Sequence, residues 1–92
     1  MLQQYNELLH KAYKKWGKIP QILMALEEMA ELSKELLKNI NRNALNEQEI
    51  KEEIGDVYIL LEQLKIIYDI SDQELSELME KKLIKLKNLI NE

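Results

Sequence analysis

Residues 52 to 61 read EEIGDVYILL, a run in which Asp56 stands among Ile54, Val57, Tyr58, Ile59, Leu60 and Leu61. Residues three apart share one face of a helix, so Glu53 and Asp56 point the same way, about one turn apart. The apolar flanks ask for burial. An unpaired carboxylate in such surroundings costs several kcal/mol, so the position calls for a cation, a proton or a solvated cleft.

Working outward, a helical pattern runs from about Glu47 to Tyr68, preceded by the polar connection NRNALN at 41 to 46. Asn46 followed by Glu49 has the spacing of an N-cap with a reciprocal glutamate. A helix is also predicted from Leu2 to Trp16, with Leu2, Tyr5, Leu9, Ala12, Tyr13 and Trp16 on one side. Gly17 can end it, and Pro20 suits the first turn of a second, longer helix reaching about Ile40. Ser71 and Glu74 form a capping box, after which Leu75, Leu78, Met79, Leu83, Leu86, Leu89 and Ile90 mark a fourth helix. No strand signal appears. The expected fold is a single all-α, four-helix bundle-like domain over residues 1–92.

Composition agrees with that fold and narrows the function. Apolar residues make up 46% of the chain and charged residues 33%, with two glycines, one proline and no phenylalanine. A net charge of −4 supplies no basic field for a nucleic-acid polymer. Cysteine is absent, which removes disulfides, thiolate metal sites and cysteine nucleophiles. No apolar stretch reaches the ~20 residues that a membrane-spanning helix needs. The start around Met1 is polar, unlike a signal peptide, so a cytoplasmic protein is expected.

The second and third helices echo one another: EEMAEL at 27–32 and EEIGDV at 52–57 both read Glu-Glu-x-x-acid. Glu28 with Glu31, and Glu53 with Asp56, are two pairs of oxygen ligands. Packed side by side, the helices would bring four carboxylates together, an arrangement that demands a cation or raised pKa values. Any single Glu-x-x-Glu on a helix is ordinarily solvated surface. Here ILMAL precedes one pair and VYILL follows the other, leaving little polar face. The only histidine, His10, lies in another helix from both acidic motifs, which disfavours ferritin-type iron, and no calcium-loop pattern is present. Mg²⁺, with Mn²⁺ as its substitute, suits an all-oxygen set.

With these two motifs read as a pair, the chain resembles the MazG-like all-α nucleoside triphosphate pyrophosphohydrolases, a group that includes the dimeric dUTPases. WGKIPQILMALEEMAEL, residues 16–32, looks like the phage and Firmicutes single-domain branch. The resemblance spans about residues 10–65. It implies that Glu28, Glu31, Glu53 and Asp56 are metal ligands, and that Glu27 is a further ligand or the base that positions the attacking water. The implied reaction is Mg²⁺-dependent hydrolysis of a (deoxy)nucleoside triphosphate to the monophosphate and pyrophosphate, a nucleotide-pool house-cleaning role. Assembly as a homodimer or homotetramer is also implied, and the apolar surface of the second and third helices points the same way. Gly55 stands where many relatives place alanine, and suggests a close helix approach.

Other residues carry weaker claims. Trp16 is either core or a platform for a base, and burial is the commoner fate. Gln21 could contact nucleotide, although a plain surface glutamine is the simpler reading. Lys34, with Lys38 and Arg42, could reach phosphates or pair with Glu31 and Glu35. Met24, Met29 and Met79 read as core filler. The rival from another class is a non-enzymatic helical interaction or regulatory module with a vestigial acidic site.

Overall fold

The computed structural model describes residues 2–92, and every regular element in it is helical. A 3₁₀ turn at Gln3–Tyr5 leads into α1 (Asn6–Trp16), followed by α2 (Lys18–Arg42), α3 (Glu47–Ile67) and α4 (Asp72–Ile90). The expected boundaries hold to within a few residues.

Local chemistry explains the ends. Gly17 has φ 83, a conformation that costs a side-chain-bearing residue, and its N–H closes α1 on the Tyr13 carbonyl at 2.8 Å. At the start of α4 the capping box forms as expected: Glu74 N–H donates to Ser71 Oγ at 3.1 Å and Ser71 N–H to Glu74 Oε1 at 3.4 Å.

Asn46 sits at the N-cap of α3, but its side chain makes no capping bond. The expected reciprocal cap is thus corrected. Asn46 Nδ2 donates instead to the Glu35 carboxylate at 2.6 Å and to the Glu35 carbonyl at 2.9 Å, while Asn39 Nδ2 donates to Asn46 Oδ1 at 3.2 Å. The charge-assisted bond to Glu35, roughly twice as strong as a neutral one, fixes the amide, and the Oδ1 that would cap the helix already accepts from Asn39.

The α2 and α3 helices form a hairpin with a heptad-like seam. On α2 the inward residues are Gln21, Ala25, Glu28, Leu32, Glu35 and Asn39; on α3 they are Asn46, Ile50, Glu53, Val57, Leu60 and Leu64. Alternating steps of four and three residues are the pattern of helices packed nearly antiparallel. Two carboxylates, Glu28 and Glu53, occupy positions that a bundle ordinarily fills with leucine.

The rest of the structure is open. Leu9, Ala25 and Leu60 are the only buried apolar side chains among the described residues, and none of them is completely enclosed. The radius of gyration is 16.1 Å, against the roughly 12 Å expected of a compact chain of this length. The reason is α4, which packs against none of the other helices. Its base alone is held: Lys65 pairs with Glu62 at 3.1 Å and with Asp72.

Three helices therefore pack and the fourth stands apart. With nothing over them, Ile54, Tyr58, Ile59 and Leu61 remain exposed, as do Met24, Met29 and Met79, which correct the core-filler reading. Gly55 likewise faces open space, with no atom within 4 Å of where a Cβ would lie, so no close helix approach requires it.

Candidate metal centre

Glu28 and Glu53 face one another across the α2–α3 seam, and Asp56 follows Glu53 by one turn. One carboxylate oxygen from each of these three residues lies within 4.8 Å of the other two. Glu28 and Glu53 are half-buried, while Asp56 opens to solvent. No lysine or arginine pairs with any of the three among the described residues.

Electrostatics make the crowding visible. The Glu53 carboxyl is pushed up to about 7, first by its hydrogen bond with the Glu28 carboxyl, next by burial, and then by the charges of Glu28, Asp56 and Glu31. Two carboxylates can hydrogen-bond only by sharing a proton, so one of them stays protonated near neutrality unless a cation replaces it. Glu53 Oε2 is buried and receives no hydrogen bond. Such an orphaned oxygen is costly, and a cation would satisfy it.

The donor set suits a small hard ion. Opposite ligands of Mg²⁺ stand about 4.2 Å apart, twice the ~2.1 Å bond. At most one pair of three ligands can stand opposite and neighbouring ones are only about 3 Å apart, so oxygens within 4.8 Å of one another close on the ion by side-chain rotation.

The other candidates fall in varied places. Glu31 is exposed on the edge of the seam and outside the trio, yet near enough to add its charge to Glu53. Glu27, also exposed, lies outside the trio as well. Trp16 is 54% exposed, which corrects the expectation of burial, and Lys15 Nζ lies 5.1 Å from its ring centroid. Trp16 projects from the end of α1, where no helix covers it.

Gln21 is only 4% exposed, which corrects the surface reading. It precedes Ala25 by four residues and shares its inward face. Lys34 is exposed beside Lys38 and Arg42 on an open face of α2 that bounds a groove of about 670 Å³. Of these cations, Lys38 pairs with Glu35 at 3.5 Å.

Sequence reasoning missed Met24 and Ile59, which with Leu60 line a depression of about 200 Å³ beside Glu28 and Asp56. Their spacing was the available signal: Met24 precedes Glu28 by four residues and Ile59 follows Asp56 by three, so each shares a face with an acid. The buried Gln63 was missed too. Its Nε2 donates to the Leu9 carbonyl at 3.1 Å and pins α1 to α3 beneath the hairpin.

Compared with known proteins, the chain matches no family model, no curated protein and no solved structure. Among the described residues no helix is long and apolar enough to cross a membrane.

Proposed function

We propose that the acidic cluster is a Mg²⁺ site and that the protein hydrolyses (deoxy)nucleoside triphosphates to the monophosphate and pyrophosphate, as expected of a MazG-like enzyme. The observation that carries this reading is the meeting of Glu28, Glu53 and Asp56 with no protein cation between them. Bound divalent ions neutralise phosphate oxygens and lower the pKa of a coordinated water. In this chain Glu28 and Glu53 would hold the ion from the seam and Asp56 from the solvent side, with Glu31 adding negative field or a further ligand. Glu27 would orient or deprotonate the attacking water.

Lys34, on the next turns of α2, is the cation available to terminal phosphates. The depression beside Asp56 is smaller than the 300–1,000 Å³ of ordinary ligand pockets, so a base must find further walls. A homodimer or homotetramer would supply them, with exposed Trp16 as the remaining candidate for contact, since Gln21 is enclosed in the seam.

The test is pyrophosphate release from a panel of nucleoside triphosphates with and without Mg²⁺. Release that requires Mg²⁺ and disappears in Glu53→Gln supports the reading, and no turnover of any nucleotide defeats it. The bare apolar face of α4 favours a second reading, a non-enzymatic helical interaction module. That reading prevails if neither turnover nor Mg²⁺-dependent stabilisation is found.

A further inference from the structure

The geometry points to α4 as a self-association helix that pairs antiparallel with α4 of a second copy of this chain. Met79, Leu83, Leu86 and Ile90 follow one another by four, three and four residues and form a continuous seam. All four are between 50% and 74% exposed, and no other helix of the chain covers them. Leu75 and Leu89 widen the stripe along one edge.

Charge selects both the occupant and its orientation. Acidic Asp72, Glu74, Glu77 and Glu80 fill the first half of α4, and basic Lys81, Lys82, Lys85 and Lys87 fill the second. A second copy laid antiparallel sets each half against its opposite, and it also opposes the two helix dipoles.

The edges of the seam sharpen this choice. Glu80 and Lys87 are seven residues apart and flank the same edge, directly after Met79 and Leu86. In an antiparallel pair each edge meets the same edge of its neighbour, so Glu80 of either copy falls beside Lys87 of the other, twice by symmetry. A parallel pair joins opposite edges and sets Lys82 against Lys87, a like-charge contact. Neither Glu80 nor Lys87 enters an ion pair within the chain among the described residues. This inference is independent of whether the acidic cluster binds metal, and its readout is mass.

Sedimentation equilibrium of the full chain tests it. A dimer of about 22 kDa, twice the 11.0 kDa chain, is expected at tens of micromolar, or a tetramer in which α4 joins two dimers. The double variant Leu83→Glu with Leu86→Glu should halve the assembled mass, with circular dichroism reporting an intact three-helix core. Glu80→Lys alone and Lys87→Glu alone should each weaken association roughly tenfold, since two favourable edge pairs become repulsive. Mixing the two single variants should restore it, because each then meets its opposite charge.

Three outcomes would overturn the inference: a wild type still monomeric at tens of micromolar, an assembly indifferent to Leu83→Glu with Leu86→Glu, or a Lys87→Glu chain that associates more tightly.

Discussion

Adding Mg²⁺ to the metal-free protein should raise its unfolding temperature steeply, and Glu53→Gln should remove most of that rise. Binding to the folded state alone stabilises by about 2.7 kcal/mol when the ion is at 100 times its dissociation constant. For a domain of this size each kcal/mol moves Tm by about 4–8 °C, so the shift is on the order of 10–20 °C. Glu53 supplies one of three converging oxygens, and a Gln there keeps the shape while removing its charge. If the variant binds about 100-fold more weakly, the same Mg²⁺ concentration merely half-saturates it, and the shift falls to about 2–3 °C. Glu49→Gln, in the exposed first turn of α3, is the control and should keep the full rise. Differential scanning calorimetry at pH 8 across a Mg²⁺ series, with ionic strength held by NaCl, measures all three proteins. A wild-type shift no larger than the matched NaCl effect, or a Glu53→Gln chain that keeps most of it, would refute the convergence of these carboxylates on an ion.

The metal-free protein should be most stable near pH 5. The folded Glu53 carboxyl titrates near 7 instead of 4.5, so its contribution is complete below about 4.5 and is lost as pH rises toward 7. Glu35 works in the opposite direction: Asn46 holds its carboxyl below 4.5, so its contribution is present above that pH and lost in acid. Thermal melts from pH 4 to 8 should show the maximum, and Glu53→Gln should flatten the alkaline side; a Tm unchanged between pH 5 and 8 would contradict it. Gly55→Ala should stabilise the protein by about 0.5–1 kcal/mol, since the new methyl meets no neighbour and the helix gains propensity, as urea melts would report. Leu60→Ala should cost on the order of 2–3 kcal/mol by the same measurement, because Leu60 is one of few buried apolar side chains.

Helix placement was legible because it is local chemistry. Gly17 and the Ser71–Glu74 box mark boundaries through their own backbone bonds, and the apolar spacing needs no knowledge of neighbours. The pairing of 27–32 with 52–57 was legible as well, since two similar acidic stretches joined by a short connection favour an antiparallel hairpin. What escaped the sequence was decided by competition or by absent partners. Asn46 had both a cap and a carboxylate within reach, and only tertiary proximity shows that Glu35 prevails. The stripe of α4 announces that something should cover it, but periodicity is silent on whether the cover comes from the same chain. Gln21 and Gln63 look like surface residues by type, and their burial follows from the side of the helix they occupy.

The Asn46–Glu35 clasp has a consequence for how the chain tolerates changes in length. Glu35 lies seven residues beyond Glu28, and Asn46 lies seven before Glu53, so clasp and acids sit at matching heights about 10 Å apart along the two helices. The short link acts as a gauge for the distant site. Removing one residue between Asn46 and Glu53 would turn the second acidic pair by 100° and leave Glu28 looking at a different side chain. Insertions beyond Ile90, by contrast, should pass without effect on the acids.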